Sequence, residues 1–218
     1  MKSTKKLVSL LLVAVMAIGM TMTVFATNNS MTIPEKTQEQ KVSFMTYYVY
    51  ANAKVAAGQG TIATITDKDI LASAFDQTEV VDDYVYKTMR SLLKDSSKYA
   101  QTYSYTLIDM QGITSGEVTV QLQDQGGYKV DEMKGRLAVV CHMNTTTGKW
   151  EQMKDLALVD DNGCVTFSFN SYSPILITVT NVKPADLKAD SGITIKEATM
   201  TPQQVVAGDT TKSPKMGE

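Results

Sequence analysis

His142 is the only imidazole in the chain. Any triad in which a serine gives its proton to a histidine backed by a carboxylate must therefore be built around it. Serines and carboxylates are plentiful, but none stands at a spacing that marks it as a partner. Alternation along Val139-Val140-Cys141-His142 turns the imidazole away from the side of Cys141, so it reads as a surface or edge histidine. The other common hydrolytic device is a pair of carboxylates facing across a cleft, and Asp109 with Asp124 is a candidate pair. Asp82-Asp83 could attract a cation such as calcium. Their place near the start of a helical segment that ends with Arg90 and Lys94 suits dipole capping better.

The two cysteines, Cys141 and Cys164, carry little chemistry of their own. Leu137, Val139 and Cys141 share one strand face, whereas Val165, Phe167 and Phe169 put Cys164 on the opposite face of its own strand. If both apolar faces meet in one core, the sulfurs diverge. We expect a free, buried Cys141 and no disulfide. Two cysteines and one histidine do not make a metal set, and no catalytic, cofactor or metal residue is assigned. The tyrosines are the remaining chemical resource. Tyr47, Tyr48, Tyr50, Tyr84, Tyr86, Tyr99, Tyr103 and Tyr105 read first as packing residues, and any left side by side in solvent would mark a binding face.

These residues hang on a β-rich scaffold. Val42, Phe44, Tyr47, Tyr48, Val49 and Tyr50 favour an opening strand over 41–51, with a second at 60–65. Thr66 and Asp69 resemble a capping pair ahead of Ile70, Leu71 and Phe75, and Val81, Val85, Met89 and Leu92-Leu93 recur at helical spacing. From residue 101 the period falls to two. Tyr103, Tyr105 and Leu107 are followed by Val118, Val120 and Leu122, then by Leu137, Val139 and Cys141. Asp160-Asp161-Asn162-Gly163 is the strongest hairpin signal, and Ile175, Ile177 and Val179 form a closing strand. The expected fold is mainly β: an antiparallel, Ig-like β-sandwich over 41–181, with one or two short helices in its N-terminal half (an insertion at 67–95). Whether 41–100 joins the sandwich or caps it is left open.

The ends speak of destination. Lys2, Lys5 and Lys6 precede an uncharged apolar run over 7–25, and Val24-Phe25-Ala26 fits a signal peptidase site cleaved after Ala26. A retained transmembrane helix is the alternative. Loss of the three lysines takes the formal charge from −2 to −5, which excludes a nucleic-acid partner. Residues 27–40 read as a linker, and 182–218, poor in aromatics and rich in Lys, Asp, Thr, Pro and Gly, as a disordered tail.

The stretch 137–179 resembles a surface module of secreted proteins from Firmicutes, clostridia especially. The resemblance rests on Val139-Val140-Cys141-His142, Gly148-Lys149-Trp150-Glu151, the acidic Asn-Gly turn, Val165-Thr166-Phe167-Ser168-Phe169 and Tyr172-Ser173-Pro174. It implies an extracellular β-sandwich in which Trp150, Phe167, Ser173 and Pro174 are structural, and it brings no catalytic residue. Trp150 is placed to cover the sandwich end. Ser213-Pro214-Lys215-Met216-Gly217 is similar to a degenerate sortase signal, with Met216 in place of the threonine that the sortase attacks. The expected protein is a secreted or wall-associated module with a non-enzymatic binding or spacer role toward an extracellular protein or glycan. A glycan-directed hydrolase and a pilus or adhesin subunit are the alternatives.

Overall fold

The computed structural model describes residues 35–49, 54–56, 59–113, 116–125, 127–169 and 174–198, and the backbone of 205–207. The export segment 1–26, Tyr50, Ser173 and the 213–217 motif lie outside the described residues.

The chain enters through a reciprocal cap. Thr37 Oγ1 accepts the Gln40 N–H at 3.3 Å, and Gln40 Oε1 accepts the Thr37 N–H at 2.9 Å. That cap starts helix α1, Gln38–Thr46. The opening strand expected over 41–51 is thereby overturned, and so is the linker over its last residues. Val42, Met45 and the following Tyr48 recur at helical spacing and reach one apolar cluster, in which Met45 is fully buried. Their β preference records only a liking for packed surfaces, and the cap decides the backbone.

After strands β1 (Lys54–Ala56) and β2 (Thr61–Ala63), helix α2 spans Lys68–Tyr84. Its N-cap is Asp67 rather than Thr66: Asp67 Oδ1 accepts the N–H groups of Asp69 and Ile70 at 2.8 and 3.2 Å. Leu71, Ala74, Phe75, Thr78 and Val81 form its buried stripe. The helix runs on without a break into a π-helical turn, Val85–Met89, so the two expected helical segments are one.

The remaining strands are β3 (Thr102–Gln111), β4 (Gly116–Gln121), β5 (Leu137–Asn144), β6 (Lys149–Gln152), β7 (Leu156–Leu158), β8 (Cys164–Phe169), β9 (Ile175–Thr180), β10 (Ile195–Lys196) and β11 (Val205–Ala207). A short helix, α3 (Val130–Met133), precedes β5. The larger sheet has the order β10-β7-β5-β9-β3-β2, with β6 folded back on β5, and the smaller one the order β11-β1-β4-β8. All pairings of these strands are antiparallel except β10 on β7. Among the described residues the chain is thus mainly β, with two multi-strand sheets and three α-helices.

Two apolar clusters define three layers. Val118, Val120, Val165 and Phe167 of the smaller sheet meet Ile108, Ala138, Val140, Ile175, Ile177 and Val179 of the larger one. On the other face of the larger sheet, Leu107, Leu137, Val139, Cys141 and Leu176 pack under Met45, Phe75, Val81 and Met89 of the helical layer. β5 and β9 are therefore buried on both faces, which is why they read as near-continuous apolar runs. Each fully buried Leu, Ile, Val or Phe contributes about 1.5–3 kcal/mol relative to exposure.

The Asn-Gly turn forms as its residues demand, with Gly163 at φ 74° and its N–H on the Asp160 carbonyl at 3.0 Å. The strands it joins do not pair as a hairpin. β7 stays with β5, while β8 crosses to β4 in the other sheet. The tail is not disordered at its start either. Val182 and Leu187 are buried, a 3₁₀ turn occupies Pro184–Asp186, and Ile195 pairs with Leu156. These scattered apolar residues dock on a surface already built, so their segment needs no core of its own.

Candidate functional site

The residues singled out by their chemistry do not converge. His142 is not a surface residue: it is 3% exposed, between the ring of Phe169 (centroids 4.3 Å apart) and its cross-strand neighbour Glu151. Its Nε2 lies 3.1 Å from Glu151 Oε2, and Asn144 Nδ2 donates to Glu151 Oε1 at 2.9 Å. These two contacts, that from Asn144 first, hold the Glu151 carboxyl below its usual range. The buried Nδ1 has no hydrogen-bond partner, and no serine joins His142 among the described residues. Asp109 sits opposite Ala63 in the β2–β3 ladder. Asp124 instead accepts the Val130 N–H at 2.9 Å and pairs with Lys129 at 2.8 Å.

Asp82 and Asp83 do not cap a helix start, because they lie deep in the single long helix. Asp82 is a half-buried anchor between α2 and β3: Thr102 Oγ1 donates to it at 2.5 Å and Tyr105 OH at 2.6 Å. Burial pushes its carboxyl above the usual range, against the pull of those donors. Asp83 pairs with Lys87 at 2.7 Å. Cys141 faces the helices, and Cys164, alternating with Val165, is buried on the opposite face of its own strand; both are free. The expectation of no disulfide holds, by a different geometry, since the two apolar faces belong to different cores. Trp150 does not cover the sandwich end. It packs against the helical layer and donates its indole N–H to Ser73 Oγ at 2.8 Å. Phe167 is fully buried between the sheets, and Pro174, also buried, gives its carbonyl to the Met143 N–H.

A different cluster is exposed. Tyr86 lies on the π-helical turn, a backbone irregularity often found at functional sites. Arg90 follows one turn on. Its guanidinium carbon sits 5.4 Å from the Tyr86 ring centroid and 4.7 Å from that of Tyr99. Arg90 Nη1 also donates to Tyr86 OH at 3.3 Å. Tyr86 and Tyr99 remain 52% and 62% exposed, and Tyr47, 37% exposed, is the other tyrosine left in solvent among the described residues.

Tyr99 is brought to Arg90 by a tight turn. Asp95 Oδ1 accepts the Ser97 hydroxyl at 2.6 Å and the Ser97 N–H at 2.9 Å, which hold its carboxyl below the usual range. Asn181 then clamps the backbone: its Nδ2 donates to the Tyr99 carbonyl at 2.8 Å, and its Oδ1 accepts the Gln101 N–H at 2.9 Å. Lys98 Nζ reaches Asp186 Oδ1 at 2.8 Å and is the chief cause of the depressed Asp186 carboxyl. Tyr99, Lys98, Gln101, Asn181, Asp186 and Leu93 line a concavity of about 330 Å³, so that the Tyr99 ring forms part of its wall. Tyr86 and Tyr99 were visible in the sequence as tyrosines. In the sequence Arg90 reads only as a helix-end cation, and no spacing joins the three.

Among the described residues no group of three or more His, Cys, Asp or Glu is placed to hold a metal ion, and no helix is long and apolar enough to cross a membrane. Comparison with protein-family models, with curated proteins and with solved structures finds no match to this chain.

Proposed function

We propose that the chain is an exported, non-enzymatic binding module whose working surface is the Tyr86–Arg90–Tyr99 face. The observation that carries this reading is the pair of exposed rings held apart by one guanidinium, beside a concavity of ligand size. Large apolar side chains kept in solvent at adjoining positions lose nothing by binding and gain a dry contact. An inert spacer has no use for them. Arg90 holds both rings in place before any partner arrives, which lowers the ordering cost of association.

Export rests on Lys2, Lys5 and Lys6, the apolar run and the Ala26 site. We read the two facing sheets as a sandwich of the Ig-like kind used by extracellular modules, here covered on one side by helices. Retention at the cell wall through 213–217 belongs to the same reading. Displaying the mature chain, from Thr27 onward, against arrayed glycans and surface proteins tests it. Binding to an arrayed partner that weakens with Tyr99→Ala supports the assignment. Binding that survives Tyr86→Ala and Tyr99→Ala together defeats it. Fractionation of producing cells into medium, wall and membrane tests the location.

A further inference from the structure

The charges around this face are arranged for one sign of ligand. Lys87 pairs with Asp83 and Lys98 with Asp186. Arg90, Lys94 and Lys188 have no ion-pair partner among the described residues. Arg90 turns to the two tyrosines. Lys94 Nζ donates to the Ala185 carbonyl at 3.0 Å and Lys188 Nζ to the Ser91 carbonyl at 2.8 Å. Their charges are thus fixed in position but not neutralised. The backbone holds them together: Leu93 and Leu187 form an antiparallel bridge, Lys94 N–H donates to the Asp186 carbonyl, and Lys188 N–H to the Leu92 carbonyl. Three uncompensated cations gathered beside two exposed rings favour an anionic ligand at this face, although the mature formal charge is −5.

Resting on the binding role proposed above, we propose that this face takes an acidic polysaccharide, one whose sugar rings carry carboxylate or sulfate. Tyr86 and Tyr99 offer flat faces to the C–H side of a pyranose, and Arg90, Lys94 and Lys188 meet its anionic substituents. The concavity beside Tyr99 has the volume for a sugar unit, with Gln101 and Asn181 on its wall. An acidic peptide would satisfy the cations but would leave the ring faces without a matching surface.

The mature chain is titrated by calorimetry with chondroitin sulfate, polygalacturonate, neutral dextran and poly-glutamate. We expect binding to at least one acidic polysaccharide that weakens as salt is raised. Tyr99→Ala is expected to reduce it by about tenfold, and Lys94→Gln with Lys188→Gln by a similar factor. Circular dichroism and melting confirm that each variant is folded, and the exposed Lys94→Gln alone serves if the pair is not. Equal binding to poly-glutamate, or acidic-polymer binding indifferent to Tyr99→Ala, overturns the polysaccharide assignment. Tyr99-dependent binding to dextran without binding to acidic polymers also overturns it while leaving the binding role intact. Loss of both requires a glycan and protein array that is blank as well.

Discussion

Trp150 and Ser73 are joined by an indole N–H to hydroxyl hydrogen bond of 2.8 Å, which ties β6 of the larger sheet to the first half of α2. The contact links the helical layer to the sheet at a distance of 77 positions along the chain. Ser73→Ala leaves the half-buried indole N–H without its acceptor. We expect a loss of about 1 kcal/mol and a fall in Tm of about 2–4 °C. Trp150 is the single tryptophan, so its fluorescence reports the change directly.

Phe167 is the heaviest anchor between the two sheets and is wholly buried. Phe167→Ala should cost about 3–5 kcal/mol through lost burial and the cavity left behind. Denaturant unfolding, followed by circular dichroism, checks this. A cost under about 1 kcal/mol would mean that the sheets do not share this interior.

Two aspartates should respond to acid in opposite senses. The Asp82 carboxyl is raised above its ordinary value of 3.8 by burial, so the folded state holds its proton more tightly than the unfolded chain. Its contribution is most favourable below pH 3.8 and is lost as pH rises through the folded value. The Asp186 carboxyl is lowered by Lys98, so its contribution is present above 3.8 and is lost as pH falls through the folded value. Stability measured from pH 3 to 7 should thus gain relative to wild type at the neutral end in Asp82→Asn. In Asp186→Asn the acid-side loss should shrink instead.

Both thiols should be silent in the native protein. Burial pushes Cys141 up to about 12 and Cys164 up to about 11, which leaves almost no thiolate at neutral pH. Ellman's reagent at pH 8 should find neither thiol in buffer and both in guanidinium. Intact mass after oxidation should show no lost hydrogens. A thiol that titrates in the folded protein would contradict the burial.

Much of the sheet was legible because apolar positions fall every second residue at β3 and β8, while β5 and β9 are apolar almost throughout. Sequence alone could not say that β5 is buried on both sides. Leu137, Val139 and Cys141 looked like the single core face, when Ala138 and Val140 serve a second core. α1 was hidden because Val42, Phe44, Tyr47 and Tyr48 all favour strands, while the deciding residues, Thr37 and Gln40, lay in a polar stretch. The Asn-Gly turn was read correctly as a turn and wrongly as a hairpin, since local chemistry fixes the bend but not the sheet each arm joins. His142 looked exposed by alternation on a strand assumed to have one wet face. The proposed binding face was beyond reach for a different reason. Tyr86 and Arg90 stand on a helix, Tyr99 follows an Asp95 turn, and Asn181 and Asp186 come from the far end of the fold.

Lys94 and Ala185, 91 positions apart, meet because the 184–188 turn is zipped onto the exit of the long helix. The proposed ligand face is thus completed late in synthesis, and a nascent or clipped chain that lacks this turn lacks the contacts that fix Lys94 and Lys188. If the proposed role holds, a protease cutting just after β9 weakens binding without touching either tyrosine.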